Sequence, residues 1–140
     1  MIENYSYNVI GLMSGTSLDG LDVAFCNISY HNSKWNFEIV EAKTYEYNKI
    51  WKNSLQNLEN SAALECALIN NEYGKYLGQV VNGFINEFNL FPDFIASHGH
   101  TIFHQPEKGF TFQIGSGAVG KLLPRRWKDG LLDGMLPRPK

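Results

Sequence analysis

Two β-prone runs separated by a dense cluster of turn formers constrain this chain more than any other feature. Tyr7-Asn8-Val9-Ile10-Gly11-Leu12-Met13 is apolar and reads as a largely buried strand. It runs into Ser14-Gly15-Thr16-Ser17-Leu18-Asp19-Gly20, where glycine, serine and aspartate favour tight backbone reversal. Leu21 to Ile28 follows as a second strand, so the first two strands must form an antiparallel hairpin. A polar turn at His31-Asn32-Ser33 leads to a third, in which Trp35, Phe37 and Ile39 alternate with Asn36 and Glu38. The alternation slips at Val40, either as a bulge or as a strand becoming buried on both faces.

Helical patterning takes over beyond Ile50. Ile50 to Leu58 predicts a short helix, and Ser61 to Asn89 a long one with apolar residues at 64, 68, 77, 81, 84 and 88. Gly74, Gly78 and Gly83 weaken it by roughly 1 kcal/mol each against alanine, so their presence predicts close packing against a sheet. Pro92 stops the helix, Asp93 to Ser97 predicts a fourth strand, and Phe110 to Ile114 a fifth. Strands, helix and strands in this order describe an α/β protein with an N-terminal antiparallel hairpin in a mixed sheet.

Composition narrows the function classes. The 140 residues are 44% hydrophobic with a net charge of −2, and the pI near 6.1 gives no reason to expect nucleic acid as a partner. No apolar run approaches the ~20 residues needed to cross a bilayer, and Met1 to Tyr5 lacks the basic start of a secretory signal. Cys26 and Cys66 have neither metal nor redox spacing and are expected to be reduced, buried thiols of a cytoplasmic protein. The charge is unevenly spread: residues 1–120 hold six lysines, no arginine and twelve acids, whereas 121–140 hold six bases and two acids. That shift divides the chain into a folded domain over 1–120 and a basic, proline-bearing tail over 121–140 expected to be disordered.

Three segments carry chemistry. In the hairpin loop, Gly15 and Gly20 let backbone amides turn inward as an anion nest, and Thr16 and Ser17 add hydroxyl donors. Asp19 and Asp22 would repel phosphate unless a hydrated Mg²⁺ or a substrate hydroxyl lay between. On spacing alone the loop is equally an ordinary turn. The second segment, Ser97-His98-Gly99-His100-Thr101-Ile102-Phe103-His104-Gln105-Pro106, sits where a strand ends, a usual place for ligand contacts. Its three histidines lack a nearby Asp, Glu or Cys to complete a metal set, so no metal site is assigned. Third, Gly115-Ser116-Gly117-Ala118-Val119-Gly120-Lys121 fits the GxxxxGK phosphate loop. Leu122 stands where a Mg²⁺-binding hydroxyl is needed, and Pro124 would break the helix, so this third reading is set aside.

Gly11-Leu12-Met13-Ser14-Gly15-Thr16-Ser17-Leu18-Asp19-Gly20-Leu21-Asp22 resembles, almost residue for residue, the opening motif of the anhydro-N-acetylmuramic acid kinase family. The resemblance implies an actin-like, RNase H-like ATPase lobe in which Gly15, Thr16, Ser17, Leu18, Asp19, Gly20, Leu21 and Asp22 hold ATP phosphates, with Mg²⁺. It further implies that Ser97, His98, Gly99, His100 and Thr101 face an anhydro-amino-sugar, matching the family's Ser-His-Gly-Gln-Thr with His100 in place of glutamine. A neutral histidine offers one donor and one acceptor where glutamine offers two donors and an acceptor, so the contact at this position differs from the family's. His98 and His104 are expected either to contact sugar or to be buried and hydrogen-bonded. Phe112-Gln113-Ile114-Gly115 is similar to the family's Leu-Gln-Ile-Gly, with Ser116 replacing an acid.

The likeness extends over roughly residues 7 to 118. Only the N-terminal lobe is expected here, and the resemblance places the family's catalytic aspartate beyond it, so no catalytic residue is assigned. The implied reaction is ATP-dependent 6-phosphorylation of 1,6-anhydro-N-acetylmuramic acid with ring opening, in cell-wall recycling, and full-length members are implied to be homodimers. The competing expectation is a non-catalytic remnant that binds nucleotide weakly.

Overall fold

The computed structural model describes residues 4–115 and a two-residue strand at Leu131–Leu132. Strand β1 spans Tyr5–Ser14, β2 Gly20–His31 and β3 Lys34–Glu46, and the three pair antiparallel. Helix α1, Lys49–Asn57, is N-capped by Asn48, whose side-chain Oδ1 accepts from the Trp51 amide. After a 3₁₀ turn at Leu58–Asn60, α2 runs from Ala63 to Phe88. It ends in Asn89, left-handed at φ 51°, with the Leu90 amide bonded to the Ile85 carbonyl. Strand β4, Phe94–Ser97, then enters beside β1 in parallel.

The sheet order is β3-β2-β1-β4-β7, where β7 is Leu131–Leu132, parallel to β4. β7 lies inside the 121–140 segment expected to be disordered; the rest of that segment is outside the described residues. A second sheet is a hairpin of β5, His100–Gln105, and β6, Phe110–Ile114. Sequence patterning missed β5 and placed β6 in the main sheet. Gly99 is the reason, because its φ of +68° breaks the strand after Ser97 and redirects the chain.

One face of the sheet supplies Ile10, Leu12, Leu21, Val23, Phe25 and Ile95 to the core. Tyr73, Leu77, Val81, Phe84 and Ile85 of α2 belong to the same core. The fully buried stripe of α2 starts at Tyr73, with Cys66 and Ile69 packed on the core ahead of it, and Leu64 and Leu68, expected within the stripe, lie on the other side of the helix and are exposed. Gly74 and Gly78 are buried as close packing requires, but a Cβ on Gly83 would meet nothing within 4 Å. Val40 resolves as a bulge: Phe25 pairs with Glu41 and Cys26 with Ile39, leaving Val40 over. It is 54% exposed, so burial on both faces is excluded. Cys26 and Cys66 are free and half-buried rather than fully buried, and burial pushes the Cys26 thiol up. Among the described residues, no helix is long and apolar enough to cross a membrane.

Candidate functional site

Parallel pairing of β1 with β4 brings the two sequence-predicted loops to one edge of the sheet. Asp93 sets the register, since its carboxylate accepts from the Asn8 amide and its own amide donates to the Asn8 carbonyl, both at 2.7 Å. Leu12 then lies opposite Ser97, so β1 and β4 end side by side. The hairpin loop leaves the first strand and the histidine loop leaves the second.

Within the hairpin loop, the Leu18 amide closes a turn onto the Gly15 carbonyl at 3.3 Å, and Leu18 itself is left-handed at φ 58°. Its partly buried side chain packs on the core and pins the loop, while Leu21 is fully buried. These two leucines anchor the loop, and only their backbones remain to meet a ligand. Gly20 is required sterically, because a Cβ there would stand 2.5 Å from the Tyr45 carbonyl oxygen. The Asp19 carbonyl accepts from the Tyr47 amide at 3.2 Å, which ties the loop to the chain just beyond β3.

The loop's polar side chains point outward. Thr16, Ser17 and Asp19 are exposed and take no side-chain partner among the described residues. Asp22, also exposed, accepts a short hydrogen bond from the Thr44 hydroxyl at one carboxylate oxygen. Two open hydroxyls beside two exposed carboxylates fit a phosphate bridged by a hydrated divalent cation. Asp19 and Asp22 would hold such a cation, and Thr16 and Ser17 the phosphate oxygens.

The histidine loop sends its side chains in three directions. Ser97 Oγ accepts from the Gly99 amide at 3.1 Å. His98 is exposed, with its Nδ1 3.4 Å from Gln113 Nε2, and Gln113 also donates to Thr101 Oγ1 at 3.1 Å. His104 is exposed beside Thr111, at 3.0 Å. Neither His98 nor His104 is buried, contrary to one of the two sequence expectations. His100 is the buried one, 4% exposed.

His100 Nδ1 lies 2.8 Å from Ser14 Oγ, the last residue of β1. Ser14 Oγ lies 2.7 Å from the Tyr47 hydroxyl, which is 2.6 Å from the Tyr73 hydroxyl. All four groups are buried. Burial, with a smaller contribution from His98, holds the His100 imidazole below its usual pKa, and burial pushes both tyrosines up. Sequence reasoning missed Tyr47 and Tyr73. Tyr73 stands four residues before Leu77, so the helical stripe could have shown it. Tyr47, just past a strand, carries no such signal.

The glycine-rich segment at 115–121 is described only at its first residue. Gly115, at φ +96°, donates its amide to Asn70 Oδ1 at 2.6 Å, so that amide is engaged with α2. Residues 116–121 lie outside the described residues. A separate apolar cleft of about 700 Å³ opens between the start of α2 and the β5–β6 hairpin, walled by Cys66, Asn70, Phe103, Phe110 and Phe112.

The family model described as anhydro-N-acetylmuramic acid kinase matches residues 7–121. The anhydro-N-acetylmuramic acid kinase of Pseudoalteromonas translucida (strain TAC 125) is 39% identical over 107 residues, covering 71% of this chain and 26% of the relative. That of Francisella tularensis subsp. novicida (strain U112) is 38% identical over 131 residues, covering 84% and 34%. That of Bacillus cereus (strain B4264) is 36% identical over 123 residues, covering 79% and 31%. The chain therefore belongs to the anhydro-N-acetylmuramic acid kinase family. It spans about a quarter to a third of the length of these curated relatives.

Proposed function

We propose that this chain forms the nucleotide- and sugar-facing lobe of a kinase that phosphorylates the 6-position of 1,6-anhydro-N-acetylmuramic acid, with water opening the anhydro ring. The observation that carries this reading is the adjacency of two loops at one sheet edge. One is rich in unpaired donors and carboxylates, and the other is joined to it through Ser14 and His100. A hairpin at the centre of a mixed sheet also suits the actin-like, RNase H-like lobe implied by the opening motif.

In this reading Gly15, Thr16, Ser17 and the neighbouring backbone amides bind the phosphates of ATP, while Asp19 and Asp22 hold Mg²⁺ through water. The cation, when bound, neutralises charge that builds on the transferring phosphoryl group. Ser97, His98, Gly99, His100 and Thr101 face the sugar, with Gln113 fixing His98 and Thr101 from behind. Phosphoryl transfer rests mainly on positioning and charge stabilisation, and ring opening further needs a base to activate water. The carboxylates of the hairpin loop are committed to nucleotide and metal, so none of them is assigned that base. The chain spans only part of its relatives, and on its own it is proposed to bind nucleotide weakly and to turn over no sugar. Residues 1–120 act as the folded lobe in this proposal, in the cytoplasm, and a homodimer is proposed only for a full-length family member.

NMR titration of the labelled chain with Mg-ATP tests the reading. Amide shifts should centre on Gly15, Thr16 and Ser17 and weaken in Asp22→Ala. Shifts centred on Gly115 to Lys121 would instead assign nucleotide to the other glycine-rich segment and overturn the loop assignment. Sugar phosphorylation by the purified chain that Asp22→Ala abolishes would refute the proposed inactivity.

A further inference from the structure

The buried hydroxyl chain behind the two loops has no role in the reading above. Its four groups, Tyr73, Tyr47, Ser14 and His100 Nδ1, are joined by three hydrogen bonds of 2.6 to 2.8 Å. They sit on four separate elements: α2, the segment after β3, the end of β1 and the start of β5. Isolated polar groups at this depth would be costly, so the chain must satisfy itself internally.

Counting protons fixes its direction. Three hydroxyls carry three protons, and three bonds need three donors. If every hydroxyl donates toward the imidazole, Tyr73 gives to Tyr47, Tyr47 to Ser14, and Ser14 to Nδ1. All three are then satisfied. If instead Nδ1 carries a proton, four protons share three bonds, and one buried hydroxyl must find an acceptor outside the chain. Tyr73, Tyr47 and Ser14 are 0%, 3% and 5% exposed, and among the described residues their side-chain hydrogen bonds stay within the chain. An unsatisfied buried donor is disfavoured, so the first direction holds.

We propose that His100 is a positioning residue locked by Ser14, Tyr47 and Tyr73 as the neutral Nε2–H tautomer, and that the Ser14–His100 bond mechanically couples the phosphate loop to the histidine loop. The coupling follows from sequence adjacency at both ends. Ser14 immediately precedes Gly15, and His100 lies between Gly99 and Thr101. Gly99 is packed closely, because its backbone lies against the Ile114 carbonyl with no room for a Cβ. A shift of the hairpin loop on taking up an anion therefore pulls on His100 and not on a slack tether. With Nδ1 occupied, the imidazole has only an Nε2–H donor left, so a ligand group meeting it must be an acceptor. The coupling half of this inference rests on the phosphate-loop reading; the tautomer half does not.

Long-range ¹H–¹⁵N correlation spectra of the 140-residue chain near neutral pH read the tautomer directly. His100 is expected to show a protonated Nε2 and an unprotonated Nδ1. An Nδ1–H tautomer or a charged ring overturns the proposal outright. For the coupling, inorganic phosphate and Mg-ATP are titrated separately into wild type, Ser14→Ala, Tyr47→Phe and His100→Gln. In wild type, shifts at Gly15 to Ser17 should be accompanied by shifts at Gly99 to Thr101. In Ser14→Ala the first set should persist and the second vanish, whereas His100→Gln, whose amide oxygen can still accept from Ser14, should keep both. Tyr47→Phe keeps the ring shape and guards against a variant that fails to fold; it should scramble the His100 tautomer while leaving both sets of shifts coupled. Unchanged co-movement in Ser14→Ala sinks the coupling. Absence of any shift at Gly15 to Ser17 in wild type sinks the phosphate-loop reading and the coupling with it, and the tautomer spectrum still decides the remainder.

Discussion

Replacing Gly99 with alanine is the sharpest test of how the histidine loop is held. The residue sits at φ +68°, a region where an L side chain costs about 1–2 kcal/mol. Its new Cβ would also stand 2.0 Å from the Ile114 carbonyl oxygen, far inside van der Waals contact. That oxygen belongs to backbone that pairs His100 with Ile114, so relief means moving the β5–β6 hairpin off its seat. A forced shift of this kind costs about 1–3 kcal/mol more. The sum, about 2–5 kcal/mol, is a large share of the roughly 5–15 kcal/mol expected for a domain. Gly109→Ala provides the control, since it has φ +78° but nothing within 4 Å of its added Cβ. It should lose only the backbone part, about 1–2 kcal/mol. Urea unfolding followed by circular dichroism measures both, with parallel slopes required for comparison. Trp51, packed on Tyr73 and Tyr76, adds a fluorescence probe of the core. Losses for the two variants that agree within about 0.5 kcal/mol would show that the collision at Ile114 is absent and that the hairpin is not anchored there.

Other outcomes follow from the buried chain and the loops. Tyr47→Phe strands the hydroxyls on either side and should destabilise by about 1–3 kcal/mol in thermal or urea unfolding; a neutral result would mean water enters the site. His100 titrates below its ordinary value of 6.5 because it is buried, so the unfolded chain takes up protons first as pH falls. Stability should be full above that value and decline below it, by up to about 1.4 kcal/mol per pH unit for this group, with the decline reduced in His100→Gln. At the alkaline end Tyr76, raised from 10.0 to about 12, favours the unfolded chain as pH climbs between those values, so stability should fall there and fall less in Tyr76→Phe. Asn70→Ala frees the Gly115 amide and should shift its resonance and loosen the end of β6 by about 1 kcal/mol, detectable as faster amide exchange at Ile114.

Local patterning made the hairpin legible because both of its causes are local: alternating β-prone residues on each side and a run of turn formers between them. The irregularity at Val40 was visible for the same reason, as a break in a period of two, while its nature as a bulge came from the pairing of β2 with β3. What misled was the first half of α2. Leu64 and Leu68 are four apart, but Leu68 precedes Leu77 by nine residues, which at ~100° per residue is half a turn out of phase, so both leucines face away from the core on which Cys66 and Ile69 pack. A helical face has to be traced at ~3.6 residues per turn through every position, and a spacing of four within one pair does not carry it across the gap to the next. Strand β5 was lost to composition, since His100-Thr101-Ile102-Phe103-His104-Gln105 sets two apolar residues between two polar pairs, with no period of two, and follows a glycine. It is a strand because β6 pairs with it, and the partner lies beyond a separate turn at Pro106–Lys108.

The adjacency of the two loops was beyond local reading, because it depends on pairing across 85 positions of sequence between Asn8 and Asp93. Parallel strands point their C-terminal ends the same way, so any chemistry attached to those ends is gathered at one edge. A slip of one residue between β1 and β4 would turn Ile95 away from the core and carry His100 out of reach of Ser14. The core therefore selects the register, and the register places the candidate site: Ile95, 2% exposed, must face inward, and only then do Leu12 and Ser97 stand opposite. The same inward-facing strand ends deliver Ser14 into the core with its hydroxyl unsatisfied. Tyr47 and Tyr73 answer that demand from one side and His100 from the other. A polar chain buried at the junction of four elements tolerates few alternative packings, since moving any one element breaks a hydrogen bond that water cannot replace. The hydroxyls thus add geometric selectivity where the apolar core alone would leave the loop ends free to drift.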